Sequence, residues 1–406
     1  MYIKRAIENI LKKTIEHYPV LLITGPRQVG KTTLLKEVAL ESHMYVTMDD
    51  LLQRKILEED PHLFFKNNEG PLILDEIQYV PEAFQTIKYK VDELGKAGYY
   101  LLTGSQTFSL MENISESLAG RIAIFPLQGL SLREYFEIDF YDAFIPNENY
   151  LSSRKKHLKN YSDLWYFIHR GSMPKLLTNQ EMDWEIYYRS YVQTYIERDV
   201  RQLSQVGDEK IFMEFMISLA ARSGELMNYS AVAKDIGISL DTVKRWTSIL
   251  ETSGIIYLLY PYSNNHLKRA IKTPKIYFMD TGLLAYLTRW LTKETLQNGA
   301  AAGNIFETFV ISEIVKSFLN AGKSRPNLYY YRDRDQKEID IIIEDGRDVY
   351  PVEIKMTGRP EVKMAKHFSV LKGIPDINIK EGVIICQYDN LLWLRDDLLA
   401  IPVEYI

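Results

Sequence analysis

The sequence predicts an α/β fold in three parts: an N-terminal domain with a parallel sheet, a helical middle module and a C-terminal α/β domain. Short apolar runs alternate with helical patterns through about residue 140, and this alternation favours parallel strands. Over residues 164–253 apolar side chains recur at helical spacing instead. Further strand candidates then follow a helix at 304–319. The length of 406 residues agrees with two or three domains at roughly 150 residues each.

Strand candidates and one polar segment set the predicted boundaries. Residues 142–163 carry Pro, Asn and Ser with little hydrophobic periodicity, so they are predicted to be a linker between residues 1–141 and the middle module at 164–285. The C-terminal domain covers 286–406. Strand candidates in the first domain are 20–24, 45–48, 72–74, 99–103 and 122–125, and those in the last are 327–331, 338–343, 349–355 and 383–386.

Composition and charge exclude several classes of protein. Hydrophobic residues at 46% and charged residues at 25% are ordinary globular values, which argues against a disordered, collagen-like or coiled-coil chain. The single cysteine, Cys386, can form neither an intrachain disulfide nor a cysteine-based zinc site. Apolar runs stay far below the ~20 residues that span a bilayer, and the N-terminus lacks the apolar stretch of a secretory signal. We therefore expect a cytoplasmic protein with no membrane partner. The net charge of −5 argues against a generally basic nucleic-acid coat.

A glycine-rich loop at residues 25–32, GPRQVGKT, matches the pattern G-x-x-x-x-G-K-[ST]. It follows a predicted strand and opens a predicted helix, which is the context that the pattern requires. In such a loop backbone N–H groups and the helix N-terminus hold phosphates, the lysine reaches the β and γ oxygens, and the hydroxyl ligates Mg²⁺. The sequence therefore predicts a site for ATP and Mg²⁺. Its residues are Gly25, Gln28, Val29, Gly30, Lys31, Thr32, Thr33 and Asp75.

Further candidates for catalysis follow other strands of this domain. Asp75 and Glu76 end an apolar strand, so Asp75 is expected beside the Mg²⁺ held by Thr32, and Glu76 is expected to polarise the attacking water. Ser105 follows another strand and is a candidate for contacting the γ-phosphate, the alternative being a simple turn. Arg121 is a candidate arginine finger, acting in its own chain or in a neighbouring subunit. The alternative for Arg121 is a surface arginine at the start of a strand.

The blocks of sequence in the order found here resemble the prokaryotic AAA-family ATPases fused to a C-terminal domain of unknown function. The resemblance runs nearly end to end. It implies a P-loop ATPase domain, a winged-helix module and a restriction-endonuclease-like domain. The blocks are GPRQVGKTT, LILDEIQ, LLTGSQ, SLAGR, YIERDV, LAARSGELMNYSAVAKDIGISLDTVKRW, YFMDTGLL and EIDIIIEDGRDVYPVEIK.

The middle module contains a candidate DNA-binding surface. Residues 229–236 and 239–250 are predicted to form two helices around Gly237, with Ser239 as the N-cap of the second. Between residues 228 and 275 there are seven Lys or Arg and three Asp or Glu, a local charge of +4. This charge favours contact with phosphates, the alternative being a module that contacts protein. We expect Val243, Trp246 and Leu250 to face inward, Asp241, Lys244, Arg245 and Ser248 to face outward, and a wing to carry Lys268, Arg269, Lys272 and Lys275.

Carboxylates of the C-terminal domain form a second candidate site. A turn at Asp345 and Gly346 would place Asp340 opposite Pro351. Asp340, Glu353 and Lys355 would then share one face of the hairpin, and Ile339, Ile341 and Ile343 the other. Together with Glu307 this set resembles the core of PD-(D/E)xK nucleases, which implies Mg²⁺ bound by Glu307, Asp340 and Glu353, with Lys355 orienting water. The alternatives are a salt-bridged strand face and a core that binds DNA without cutting it.

These features together predict an ATP-binding and ATP-hydrolysing enzyme whose favoured partner is DNA. Two alternatives stay open. One is a nucleotide-gated switch or scaffold that binds a protein through its C-terminal half, and the other is an active ATP-regulated nuclease. Whether the chain forms a homo-oligomer is also left open.

Overall fold

A computed structural model describes residues 2–104, 114, 117–195, 209–263, 273–323 and 326–406. The N-terminal part contains the predicted parallel sheet, with strand order β2-β3-β4-β1-β5 and every pairing parallel. The strands are β1 Val20–Thr24, β2 Met44–Thr47, β3 Leu72–Asp75, β4 Tyr100–Gly104 and β5 Ile122–Pro126. The helices are α1 Glu8–Ile15, α2 Lys31–Val38, α3 Leu51–Glu59, α4 Pro61–Asn67, α5 Ala83–Leu94 and α6 Leu132–Tyr135, with a 3-10 turn at Ile77–Tyr79.

The central strands of this sheet are apolar along their length because both faces are covered. In β1, Leu21 and Ile23 pack into one cluster of buried side chains, and Val20 and Leu22 pack into another. A strand buried on both faces reads as a continuous apolar run. This explains why β1, β3 and β4 could be located from the sequence. Because the strands are parallel, the carboxyl ends of β1 and β3 lie at the same edge of the sheet.

The middle part is mainly helical, as the spacing of its apolar residues predicts. In the helix pair at its centre, Ser239 accepts a hydrogen bond from the N–H of Thr242, and Gly237 ends the preceding helix with φ of +77°. The helices are α7 Glu148–Lys155, α8 Leu164–Arg170, α9 Pro174–Thr178, α10 Trp184–Tyr195, α11 Glu209–Ala220, α12 Tyr229–Ile236, α13 Leu240–Thr252, α14 Thr281–Leu287 and α15 Lys293–Gln297. Strands β6 Ile256–Leu259 and β7 Lys275–Phe278 form an antiparallel pair.

The segment predicted as a linker, 142–163, contains α7, which packs against the last residues of the chain. Tyr150 donates a hydrogen bond from its hydroxyl to the carbonyl of Tyr405 at 2.7 Å. Arg154 donates one to the carbonyl of Glu404 at 2.6 Å and is fully buried. The two buried residues of α7 are therefore a tyrosine and an arginine. Because arginine is not counted as apolar, the sequence of this helix shows little hydrophobic periodicity.

The C-terminal part is a mixed sheet, as predicted. Its order is β13-β14-β12-β10-β9-β8, and β11 pairs with the start of β10. The elements are α16 Ala302–Asn320, β8 Leu328–Arg332, β9 Glu338–Asp345, β10 Asp348–Ile354, β11 Asn378–Ile379, β12 Gly382–Cys386, β13 Leu392–Arg395 and β14 Leu398–Pro402. There are also 3-10 turns at Val362–Ala365, Phe368–Gly373 and Val403–Tyr405.

The register of the β9–β10 hairpin differs from the prediction by two residues. Pro351 pairs with Ile342 rather than with Asp340, because the turn is formed by residues 346 and 347. Since side chains alternate with a period of two, a shift of two residues does not by itself change the face on which a side chain lies. Asp340 therefore still lies near Glu353, although the predicted pairing of Asp340 with Pro351 is wrong.

A β-bulge interrupts β9 beside Asp340. Tyr329 pairs with Ile342 and Tyr331 pairs with Ile339, so Asp340 and Ile341 together lie opposite Tyr330. The extra residue breaks the alternation of side chains. Ile339 packs in the same cluster as Ile342, whereas Ile341 and Ile343 pack in the other cluster, so the prediction that all three isoleucines share a face is wrong for Ile339. Bulges of this kind turn a side chain away from its regular direction.

The three parts pack on one another through a shared core. One cluster of buried apolar side chains includes Leu132 of the first part, Tyr191 of the middle and Ile311 of the last. On α16, Glu313 and Lys316 form a buried ion pair. Glu313 also accepts a hydrogen bond from the N–H of Leu132 at 2.8 Å, which joins the last part to the first. None of the helices in the described part of the chain has the length and hydropathy needed to cross a bilayer.

Candidate functional site

The glycine-rich loop joins the end of β1 to the start of α2, as predicted. Gly25 has φ of +137°, and a Cβ there would lie 2.1 Å from the carbonyl oxygen of Leu127, so no other residue fits without a shift of the backbone. Gly30 has φ of +93° and directly precedes Lys31, the first residue of α2. The N-terminal N–H groups of α2 therefore face the loop, an arrangement that attracts anions.

Lys31 lies inside the curve of this loop. Its ammonium donates hydrogen bonds to the carbonyls of Gly25 at 2.9 Å and Pro26 at 2.8 Å. The side chain is buried, so it is directed along the loop rather than into solvent. A positive charge is thus held where the predicted β and γ oxygens would lie.

Asp75 ends β3 and is contacted by three hydroxyl groups. Thr32 donates a hydrogen bond to Oδ1 at 2.7 Å, and Thr103 donates to the same oxygen. The Tyr45 hydroxyl donates to Oδ2 at 2.8 Å. Burial is the main cause that raises the pKa of Tyr45 to about 12, and the neighbouring Asp75 carboxylate adds to it. Tyr45 therefore remains a donor at neutral pH. The hydroxyl of Thr32 and the carboxylate of Asp75 are a donor set that fits Mg²⁺.

Glu76 has an unusual backbone conformation next to this carboxylate. Its φ of +59° and ψ of +42° lie in the left-handed region, and its N–H donates to the Thr103 hydroxyl at 3.1 Å. The side-chain amide of Gln78 donates a hydrogen bond to the Glu76 carboxylate. Non-glycine residues in this region are uncommon and are concentrated at functional sites. The neighbouring candidate Ser105 lies outside the described residues.

Two adjoining cavities surround the loop. The first, of about 550 Å³, is lined by loop residues, Glu76 and two residues of the middle part, Lys175 of α9 and Thr194 of α10. The second, of about 400 Å³, shares Gly30, Thr33 and Lys175 with the first and is otherwise lined mainly by apolar or aromatic side chains. Those other lining residues are Tyr2, Ile3, Arg5, Val29, Leu130, Pro174 and Thr178.

A buried ion pair supports the loop from behind. Arg5 contacts Glu134 at 2.9 Å and donates hydrogen bonds to the carbonyls of Val29 at 2.9 Å and Gln128 at 2.8 Å. Burial alone would raise the pKa of Glu134, but the Arg5 guanidinium and backbone N–H groups hold it below its ordinary value. This contact was not predicted, because nothing in the local sequence links Arg5 to residues more than 120 positions away.

The loop also touches the middle part at the turn between α13 and β6. A Cβ on Gly254 would lie 2.7 Å from Nε2 of Gln128 and 3.1 Å from Cδ of Pro26. The preceding residue, Ser253, lies 2.8 Å from the hydroxyl of Tyr195, the last residue of α10. The residue before that tyrosine, Thr194, lines the first cavity.

Arg121 lies at the other end of the sheet. Its carbonyl accepts a hydrogen bond from Val20, the first residue of β1, whereas the loop follows the last residue of that strand. Five residues of strand separate the two ends by about 16 Å. The guanidinium contacts Asp92 through two nitrogens, at 2.6 and 3.0 Å. The structure therefore does not bring Arg121 to the cavity of its own chain, and a role in a neighbouring subunit stays a prediction.

The C-terminal carboxylates lie close together, with lysines between them. Lys355 contacts Asp340 at 3.1 Å and Glu353 at 3.0 Å. Asp340 also accepts a hydrogen bond from the N–H of Ile354 at 2.8 Å. Burial is the main cause that raises the pKa of Glu353 to about 8, and repulsion from the Asp340 carboxylate adds to it.

Glu307 of α16 is bound by two residues of β7, neither of which was predicted at this site. Lys275 contacts Glu307 at 3.4 Å and Glu338 at 2.6 Å, and the Tyr277 hydroxyl donates to Glu307 at 2.6 Å. Burial raises the pKa of Glu307, and repulsion from the negative charge of Asp340 raises it further. Burial alone would lower the pKa of Lys275, but the surrounding carboxylates raise it above its ordinary value.

This arrangement does not fit a divalent cation. Within the described ranges, no group of three or more His, Cys, Asp or Glu side chains is placed to hold a metal ion. Lysine ammonium groups contact Glu307, Asp340 and Glu353 instead. Asp340 and Glu353 thus share Lys355, whereas Glu307 is held by Lys275, so cations of the chain itself occupy this cluster.

The candidate DNA-binding residues are described only in part. On α13, Val243, Trp246 and Leu250 are buried, which confirms their predicted direction, and Lys244 and Arg245 are exposed. Lys268, Arg269 and Lys272 lie outside the described residues. Lys275 was counted in the basic segment but is buried and ion-paired, so it is not part of an open basic surface.

Comparison with protein families supports the N-terminal assignment. Residues 17–136 match the AAA domain family. Residues 161–294 and 302–406 match two domains of unknown function, DUF8612 and DUF4143. The N-terminal part is therefore an AAA-type domain, and the C-terminal part is a domain of unknown function.

Two relatives align along nearly the whole chain. An uncharacterized protein of Mycobacterium tuberculosis is 27% identical over 398 residues, which cover 98% of this chain and 82% of that protein. An uncharacterized protein of Methanocaldococcus jannaschii is 25% identical, covering 98% of this chain and 88% of that protein. Among solved structures, the Walker-type ATPase of Pyrococcus abyssi aligns with a TM-score of 0.38 and 16% identity, covering 69% of this chain and 94% of that one. AMPPCP-bound DnaA from Aquifex aeolicus aligns with a TM-score of 0.31 and 15% identity, covering 60% and 85%.

Proposed function

We propose that the chain binds ATP with Mg²⁺ at residues 25–32 and hydrolyses it. The observation that carries this proposal is the 2.7 Å contact between Thr32 and Asp75, at the N-terminus of α2 and beside the buried Lys31. A hydroxyl, a carboxylate and an ammonium at one helix N-terminus form the set that a triphosphate and its metal require. The match of residues 17–136 to the AAA domain family supports the same function.

Each residue has a distinct task in this proposal. The N–H groups of α2 and the Lys31 ammonium bind the β and γ oxygens. Thr32 and Asp75 hold Mg²⁺, which supplies neutralisation of charge on those oxygens. Glu76 lines the cavity and accepts the proton of the attacking water. Gln78 orients Glu76 through the hydrogen bond to its carboxylate.

The second cavity suits the adenine base. It adjoins the loop at Gly30 and Thr33, and Ile3, Val29 and Leu130 provide apolar surface. Its walls come from the segment before α1 and from α9 of the middle part. The nucleotide would thus lie between the two parts, with Lys175 at the boundary of both cavities.

Paired variants test ATP hydrolysis. Glu76→Gln should keep ATP binding and lower turnover by about 10²- to 10⁴-fold, because an amide cannot accept the proton of water. Lys31→Ala should instead abolish productive binding. Binding of a fluorescent ATP analogue and release of phosphate separate the two effects. Glu82→Gln, an exposed change six residues along the chain, is the matched control. Unchanged turnover in Glu76→Gln would remove Glu76 from the proposal, and wild-type affinity in Lys31→Ala would refute the site.

A second proposal concerns duplex DNA as a partner. Lys244 and Arg245 are exposed on α13 directly between the buried residues Val243 and Trp246. Two adjacent exposed cations on a packed helix can contact neighbouring phosphates. Replacing both by alanine should weaken binding and reduce the slope of log affinity against log salt by about 1.8, at about 0.9 for each contact. Gel shifts at several salt concentrations, with Lys210→Ala on α11 as control, measure both quantities. An unaltered slope would favour a module that contacts protein.

A further inference from the structure

The β6–β7 hairpin of the middle part reaches the carboxylates of the C-terminal part. Lys275 begins β7, where its backbone pairs with Leu259 and forms a bridge with Leu226. Its side chain is only 4% exposed and extends to Glu307 and Glu338. The position of the ammonium is thus fixed by the hairpin backbone at one end and by two carboxylates at the other.

Cations from the chain contact every carboxylate of this cluster. The cluster comprises Glu307, Glu338, Asp340 and Glu353. Lys275 contacts the first two, Lys355 contacts the last two, and Arg332 contacts Glu338 at 3.2 Å. The Tyr277 hydroxyl donates to the same Glu307 oxygen that Lys275 contacts. At least one oxygen of each carboxylate is therefore already engaged by a cation of the chain.

We propose that Lys275 is the resident cation of this cluster, so that the hairpin holds the middle part on the C-terminal sheet and excludes a divalent ion. Mg²⁺ requires several oxygens at about 2.1 Å in octahedral geometry. The buried ammonium of Lys275 lies 3.4 Å from Glu307, one of the candidate ligands, and 2.6 Å from the neighbouring Glu338, so it competes for the Glu307 oxygen and repels an incoming ion. The inference goes beyond ATP hydrolysis and does not depend on it.

The contacts of Lys275 involve both β7 and the bulged strand β9. A lysine and a tyrosine two residues apart on β7 point to the same side of the strand and reach one glutamate of α16. The bulge at Asp340 and Ile341 lies in the strand that also carries Glu338, the closer carboxylate partner of Lys275. The cluster is consequently an ionic contact between parts of the chain rather than a set of ligands facing solvent.

Titration of Mn²⁺ into the nucleotide-free, full-length protein tests the proposal. Wild type should bind no Mn²⁺ that depends on Asp340, so wild type and Asp340→Asn should give the same stoichiometry. Lys275→Met removes the charge and keeps most of the side chain. It should gain about one Mn²⁺ per chain, and Lys275→Met with Asp340→Asn should lose that ion again. Lys363→Met, a change at a side chain that is 75% exposed, is the matched control and should behave as wild type.

Two results would overturn the proposal. One is Mn²⁺ binding by wild type that Asp340→Asn abolishes, since the site would then accept a metal with Lys275 in place. The other is a Lys275→Met protein that still binds the ATP analogue at residues 25–32, and is therefore folded, but binds no more Mn²⁺ than wild type. The comparison of wild type with Asp340→Asn needs no change at Lys275, so it remains decisive if Lys275→Met fails to fold.

Discussion

Arg5→Met removes the guanidinium that joins the N-terminal segment to the glycine-rich loop. Arg5 is 3% exposed and its partner Glu134 is equally buried, so the change leaves a carboxylate in the core without a counter-charge. Breaking a buried pair in this way costs about 3–5 kcal/mol of the free energy of unfolding. The carbonyl of Val29 also loses its donor. We expect a hydrogen bond to a charged group to be worth about 1.5–3 kcal/mol, or about 10- to 100-fold in ATP affinity if all of it positions the loop.

The dependence of stability on pH separates this mechanism from a general packing defect. In wild type the pKa of Glu134 is lowered by folding, so its contribution is present at neutral pH and is lost as the pH falls through the acidic range. In Arg5→Met the unpaired carboxylate should have a raised pKa, so stability should increase when the pH falls from about 8 to about 5.5.

Urea unfolding at both pH values, together with binding of a fluorescent ATP analogue, measures the two effects of Arg5→Met. The double variant Arg5→Met with Glu134→Gln should be more stable than Arg5→Met alone at neutral pH, because no buried charge is left unpaired. The reasoning would be refuted if the free energy of unfolding of Arg5→Met lay within about 1 kcal/mol of wild type and its nucleotide affinity were unchanged. Breaking a buried ion pair is expected to cost about 3–5 kcal/mol.

Three further changes test contacts around the sites. Tyr45→Phe removes the donor to Oδ2 of Asp75 and should raise the Mg²⁺ concentration needed for half-maximal turnover about 2- to 10-fold; equal Mg²⁺ dependence would exclude a positioning role. Lys175→Met should weaken ATP binding without a comparable loss of turnover at saturation, and a fall in turnover alone would contradict its position at the boundary of the cavities. Tyr150→Phe should lower the free energy of unfolding by about 1–3 kcal/mol in urea, because the carbonyl of Tyr405 loses its donor; wild-type stability would show that the contact of α7 is dispensable.

The nucleotide site divides into a part that the sequence predicts and a part that it does not. Lys31 and Thr32 belong to one local strand–loop–helix unit, and the geometry of such a unit follows from consecutive residues. Tyr45 and Thr103 reach Asp75 only because β2 and β4 both lie beside β3. Strand order depends on packing of the whole sheet, so no short pattern identifies these two hydroxyls.

The C-terminal cluster shows a similar limit. Asp345 and Gly346 located the hairpin correctly, but the turn begins one residue later, and this moves the pairing by two. The bulge at Asp340 arises from pairing with β8, which the hairpin sequence does not contain. The local sequence predicts Lys275 to be a DNA-facing charge because its partners Glu307 and Glu338 are 32 and 63 residues away along the chain.

The turn at Gly254 has a mechanical consequence. A Cβ on Gly254 would lie 3.1 Å from Cδ of Pro26, and the turn leads directly into β6, which pairs with β7, the strand that begins at Lys275. Because close-packed interiors transmit strain, we expect a displacement of Pro26 toward Gly254 to reach the start of β6. The β6–β7 pair thus links the glycine-rich loop, which it meets at Gly254, with the carboxylates of the last domain, which Lys275 contacts.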